Sequence, residues 1–141
     1  MAHVRGQIRD EIKDRLTGVT GTTGAPLDGL DSAVDNARGP LIAVSFGSES
    51  VERRKGSGDA TEEHRALSVN VVLLAYNPTD LDVMLEDVEF RMGPELMVDV
   101  RHRLLETENQ DPVAGEWKFF TTSLNYEVVY TINTGDASQL A

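Results

Sequence analysis

A chain of 141 residues with a formal net charge of −11 and no cysteine is long enough to bury roughly 68–70% of its unfolded surface as one domain. It has no means of forming a disulfide or a thiolate metal site. Its acid excess argues against nucleic acid as the principal partner, since phosphate contacts need clustered Lys and Arg. No stretch approaches the roughly 18–20 apolar residues of a membrane span, and the opening Met1-Ala2-His3-Val4-Arg5 leads into charged sequence. The expectation is a soluble protein without a signal peptide.

In residues 3–16, Val4, Ile8, Ile12 and Leu16 recur every four positions, which predicts a helix with a narrow apolar stripe. Glu11 and Arg15 add a favourable i,i+4 pair, and Thr17-Gly18 supplies a glycine suited to the helix end. Residues 19–40 are rich in Gly, Thr, Asp and Pro and read as a long connection with at most one short strand. Their glycines lack the G-x-x-x-x-G-K-[ST] spacing that cradles phosphate, and residues 28–35 lack the ligand pattern of an EF-hand.

Gly39-Pro40 opens a strand with Ile42, Val44 and Phe46 on one face. Past Gly47, two extended polar arms around Gly56-Ser57-Gly58 read as a long hairpin projecting beyond the core. One arm carries Glu49, Glu52, Arg53, Arg54 and Lys55; the other carries Glu62, Glu63 and Arg65. Such charges either pair across the hairpin or contact a neighbouring subunit. Both readings stand at this point, and all eight residues are interface candidates.

Residues 66–76 read as the central strand. Val69, Val71 and Leu73 occupy one face and Val72 and Leu74 the other, the pattern of a strand covered on both sides. Asn77-Pro78-Thr79-Asp80 carries helix-starting chemistry, and Leu81, Met84, Leu85, Val88 and Met92 form a broad apolar face at helical spacing. Gly93-Pro94 then predicts a kink or two helices, the second using Leu96, Val100 and Leu104. Between residues 79 and 108, nine carboxylates stand against Arg91, Arg101 and Arg103, so more than half of the excess negative charge lies on this stretch. Val83 and Phe90 sit seven apart among those carboxylates, on the side away from the apolar face. They are candidates for a subunit contact. The alternatives are burial under a loop, or a phase change at Pro94 that turns Met97, next in that row, inward.

Residues 109–115 read as a loop and 116–133 as one long strand. Phe120, Leu124, Tyr126, Val128, Tyr130 and Ile132 share one face, opposite Trp117, Phe119 and Val129. A strand of that length predicts a bulge, placed near Thr121-Thr122-Ser123, and residues 134–141 read as a flexible polar tail. The expected fold is α+β: one domain spanning residues 1–141, with a mixed or mostly antiparallel sheet, two main helices packed on one face and the projecting β-hairpin.

Residues that carry chemistry are sparse. His3, His64 and His102 lie far apart without a ligand partner at motif spacing. The acid pairs Glu62-Glu63 and Glu86-Asp87 sit in charged stretches where nothing raises a pKa for proton transfer. No serine lies in a G-x-S-x-G or S-x-x-K context, and the basic clusters Arg53-Arg54-Lys55 and Arg101-His102-Arg103 are too small and too acid-flanked for a nucleic-acid face. The expectation is a non-enzyme without catalytic residues, cofactor or metal.

Three stretches carry a family resemblance: His3-Val4-Arg5-Gly6-Gln7-Ile8-Arg9 at the start, residues 65–76 running into Asp80-Leu81-Asp82, and Leu124-Asn125-Tyr126-Glu127-Val128-Val129-Tyr130 near the end. With the order of a short helix, a strand, a polar hairpin, an apolar strand, an acidic helix and an aromatic strand, the chain resembles the tail terminator family of long-tailed phages, the family of the lambda minor tail protein U. The resemblance implies a virion protein at the head-proximal end of the tail, assembled in the host cytoplasm. It implies a homo-oligomer, a hexameric ring, that caps the tail tube protein, ends polymerisation and meets a head-tail connector protein. DNA would be met only in passage, and no membrane is involved. A gene transfer agent would use the same part. Neck or head-completion proteins of the same virion class are an alternative, and a small cellular oligomeric adaptor or an unrecognised enzyme is another.

Overall fold

Two long runs of strand-forming sequence found the sheet. In the computed structural model, which describes residues 3–19, 22, 26–28, 40–55, 61–97, 100–113, 119–133 and 136–140, β2 (Leu41–Lys55) and β3 (Thr61–Ala75) pair antiparallel from Leu41↔Leu74 to Lys55↔Thr61. β5 (Phe119–Asn133) pairs antiparallel with the other side of β3 along its whole length, and β4 (Arg101–Val113) pairs with β5. A two-residue β1 (Leu27–Asp28) adds a parallel pair to β2, and β6 (Asp136–Leu140) joins the end of β5. The order is β1-β2-β3-β5-β4. With α1 (Val4–Leu16) and α2 (Pro78–Met92), the architecture is the expected α+β, with a mostly antiparallel sheet.

Strand alternation decides what the helices cover. Ile42 and Val44 of β2, Leu67, Val69, Val71 and Leu73 of β3, and Leu124, Tyr126, Val128, Tyr130 and Ile132 of β5 line one side in register and form a single cluster with both helices. Val4, Ile8, Ile12 and Leu16 are wholly buried, as are Met84, Val88 and Met92 to within 1%; the two apolar stripes read from the sequence are the two surfaces that seat the helices. On the opposite side, Ala43, Val72 and Leu74 are also buried, so the C-terminal stretch of β3, residues 71–75, is covered on both faces as its sequence demands.

The helix ends are tied to one another. Asn77 caps α2 by accepting from the Asp80 backbone N–H, with Pro78 in the first turn. At the other end, Arg91 of α2 donates to the carbonyls of Arg15 in the last turn of α1 and of Thr17 and Gly18 just past it, at 3.0–3.1 Å. Arg15 of α1 in turn donates to the carbonyls of Arg91 in the last turn of α2 and of Pro94 and Glu95 past it. Each guanidinium thus satisfies orphan carbonyls at the negative end of the other helix, and each is steadied by its own i−4 carboxylate, Glu11 for Arg15 and Asp87 for Arg91.

Four expectations need correction. The stretch after Gly93-Pro94 is not a second helix: Leu96 and Val100 bury into the core around a Met97↔Val100 bridge, Met97 packs inward, and Leu104 lies on strand β4 opposite Tyr126. Three apolar residues at a spacing of four satisfied a helical template by coincidence, and the Gly-Pro break let the chain reverse instead. Residues 109–113 are strand rather than loop. No bulge occurs at Thr121-Thr122-Ser123, where β3 and β5 stay in register. The irregularities lie in β4, between Leu104 and Glu106 and between Gln110 and Val113, in β2, between Phe46 and Glu49, and where β6 joins β5, between Ile132 and Asn133. The tail contributes β6, because backbone pairing asks nothing of its polar side chains. The hairpin exists, but β5 accompanies its inner arm as far as Glu62↔Asn133; the tip, 56–60, lies outside the described residues, as do Trp117 and most of 19–40.

Candidate subunit interfaces

The interface candidates separate into an inward set and an outward set. The bulge in β2 is responsible. Phe46 pairs with Val69, but the next matched pair is Glu49↔Leu67, so Gly47 and Ser48 together oppose Ser68. One extra residue inverts the alternation and turns Glu49, which strict parity would aim away, to the helix side beside Leu67. Gly47 permits the close approach: an added Cβ would meet the Ser68 side chain at 3.3 Å.

There Glu49 finds Arg65 and Tyr130, which the β3–β5 register sets side by side. Arg65 donates from one terminal nitrogen to Glu49 Oε1 at 3.0 Å and from the other to Glu63 Oε1 at 2.7 Å, while the Tyr130 hydroxyl donates to Glu49 Oε2 at 2.7 Å. Glu63 is 6% exposed and Tyr130 1%. Burial raises the Tyr130 phenol well above its ordinary value, and the Glu49 carboxylate raises it further. Burial alone would lower the Arg65 pKa, but the bonds and charges of Glu63, Tyr130 and Glu49 outweigh it and the net direction is up. The Arg65 guanidinium therefore stays charged and paired. Glu49, Glu63 and Arg65 hold the hairpin base to β5 rather than presenting it to another molecule.

The rest of the hairpin set divides further. Glu52 is exposed, and Glu62 lies 3.6 Å from His64. The register sets Arg53 opposite Glu63 and Arg54 opposite Glu62, which is the cross-strand arrangement of opposite charges; the side chains of Arg53, Arg54 and Lys55 lie outside the described part.

The outward set sits on α2. Phe90 is 81% exposed and Val83 44%; with Glu86 they line a shallow cleft on the helix face turned from the core. Burial under a loop, one alternative for this pair, does not occur among the described residues, whereas Met97, next in the row, does turn inward. Asp82, Glu86 and Glu89 on the same exposed side have no cationic partner among the described residues.

Sequence reasoning missed a second outward patch. Arg5 and Arg9 of α1 stand over the ring of Phe46 in β2, with guanidinium carbons 5.7 and 4.7 Å from its centroid, the geometry of a cation–π contact. Neither has a carboxylate partner among the described residues. The i,i+4 spacing of Arg5 and Arg9 was legible; the strand residue they would meet was not.

Beside β4, Glu89, Met92, His102, Leu104 and Tyr126 surround an open cleft of about 270 Å³. His102 Nε2 is held by the Met92 carbonyl, and burial followed by the Glu89 charge pushes the Tyr126 phenol up to about 12, so this hydroxyl keeps its proton throughout the neutral range. Among the described residues no group of three or more His, Cys, Asp or Glu is placed to hold a metal, and no helix is long and apolar enough to cross a membrane. Compared with known proteins, the chain matches no family model and no curated protein sequence.

Proposed function

We propose that this chain is a structural component that self-associates into a ring, capping a phage-type tail tube at its head-proximal end, ending tube growth and presenting a surface to the head connector. The observation that carries the reading is the exposed Phe90–Val83 row on an acidic helix. Burying a phenyl ring and a valine is favourable in proportion to the apolar area removed from water, and their exposure side by side on one helix face supports association there. The Leu81, Met84, Val88 and Met92 face already anchors α2 to the core, so Val83 and Phe90 are not needed for the fold. The acidic surroundings suit a ring through which DNA passes without adhering. The protein acts through assembly, not through catalysis.

The test is to image the purified protein alone and mixed with polymerising tail tube subunits, and to determine its native mass. Six-fold rings, or a density cap that arrests tubes at fixed length, are expected. Rings that bind a head portal and leave tube growth unchanged would assign the protein to the neck instead. A protein that stays monomeric and leaves growing tubes uncapped would overturn the reading.

A further inference from the structure

We infer that the two outward patches are the two halves of one contact between copies of this chain: the Arg5–Arg9–Phe46 patch of one subunit receives the Glu86–Phe90 face of the next. This rests on the self-association reading above and gives it a geometry.

The inference comes from which charges are left over. Within the described chain, Arg15 pairs with Glu11, Arg91 with Asp87, Arg65 with Glu49 and Glu63, and Arg103 with Glu127. Arg5 and Arg9 are not satisfied in this way, and neither are Glu86 and Glu89. The two arginines of one patch and the carboxylates of the other, Glu86 and Glu89 with Asp82 on the same exposed side, are therefore opposite in sign, and each patch contains one aromatic ring. Phe90 presents a bare ring to which a guanidinium held over Phe46 can add a second face, and Glu86 and Glu89 supply acceptors for the guanidinium donors. Because Phe46 already positions both arginines, little side-chain freedom is lost on contact.

The patches lie on different flanks. Arg5 and Arg9 overhang β2, on one side of the sheet, whereas Glu89 lies against Tyr126 and the cleft beside β4, toward the other. An α2 face meeting its own copy across a two-fold axis would place carboxylates against carboxylates, and the arginine patch meeting itself is no better. Charge thus disfavours a dimer in which either patch meets itself. A reciprocal two-fold dimer, each patch on the opposite patch of the other copy, needs both patches on one flank, so their separate flanks favour head-to-tail contact, which closes into a ring or grows as a filament. Backbone pairing through the β4 edge is disfavoured: β4 carries Arg101, Arg103, Glu106 and Glu108, two register irregularities and Pro112, the features that blunt an edge strand against pairing.

The absence of cysteine from the chain makes the test direct. Arg9→Cys and Phe90→Cys proteins are prepared separately, then oxidised alone and as a mixture, both in solution and on capped tubes. A disulfide-linked dimer in the mixture and in neither protein alone is expected, and a single chain carrying both substitutions should give a ladder of higher oligomers. In parallel, R5E/R9E and E86R/E89R should each lose association at least tenfold, and mixing the two should restore it, since alternating copies again oppose unlike charges. Oligomers that form without the mixed disulfide, or that survive either reversal, overturn this contact and leave the ring reading intact. Homodimers of the Phe90→Cys protein alone overturn it in favour of a two-fold dimer. Mixed disulfides in open filaments that cap no tube uphold the contact and overturn the ring. Monomer under all conditions, tubes included, overturns both.

Discussion

The base of the hairpin and the outer face of α2 look alike in sequence: each is acidic, each has an aromatic or cationic residue set among carboxylates, and each is an interface candidate. In the folded chain they are opposites. Glu49, Glu63 and Arg65 turn inward and form bonds with one another and with Tyr130, whereas Val83, Glu86 and Phe90 turn outward. The lesson is that charge density along a chain does not report exposure; the phase of the local repeat does. On α2 the 3.6-residue phase is unbroken, so the outward face follows from Leu81 and Met84. In β2 a single extra residue at Gly47-Ser48 reverses the phase, and no period-2 reading carried across it could place Glu49 correctly.

Breaking the inward cluster has the largest effect. Arg65→Met removes the cation from two carboxylates that are largely shielded from water, and unpairing a buried charge costs about 3–5 kcal/mol; urea unfolding should show the loss, with Arg65→Lys recovering part of it. Arg91→Ala unties the two helix ends and leaves the carbonyls after α1 without their donors, a loss of roughly 1–3 kcal/mol, read by the same method. Tyr130→Phe leaves one Glu49 oxygen without its donor, for about 1–2 kcal/mol.

Alkaline titration sharpens the comparison without a mutation in the cluster. The Tyr126 phenol is raised from 10.0 to about 12, so the unfolded chain releases this proton first. The stability gained from the buried neutral phenol is complete below about pH 10 and is lost as pH rises toward 12. Thermal unfolding should fall through that window, and less steeply in Tyr126→Phe. Smallest in stability, and the sharpest contrast with Arg65, is Phe90→Ser: a change within about 0.5 kcal/mol, as for other exposed positions, accompanied by loss of self-association in sedimentation velocity.

Much of the fold was legible because long, clean repeats leave little choice. The α1 stripe, the α2 face, the two-sided β3 and the Phe120–Ile132 parity of β5 all landed as read. What escaped was sequence without a repeat. β4 is an edge whose side chains from 101 to 109 are exposed apart from a half-buried His102, so no burial imposes alternation there, and Leu96, Val100 and Leu104 mimicked a helix. At the candidate interfaces, the α2 row was visible as residues on the wrong side of an amphipathic helix. The Arg5–Arg9–Phe46 patch was not, since it joins elements separated by some forty residues and exists only once α1 lies across β2.

The exchange of Arg15 and Arg91 between the two helix ends carries a mechanical consequence. One proposed contact patch is on α1 and the other on α2, and the two helices are strapped together by guanidinium groups reaching in opposite directions. If the proposed contact forms, a pull on one helix by a neighbouring subunit would be resisted through the other, and force would pass across each subunit through its helix layer rather than by peeling strands from the sheet. In a closed collar of such subunits, the helix layers would form a continuous hoop under tension.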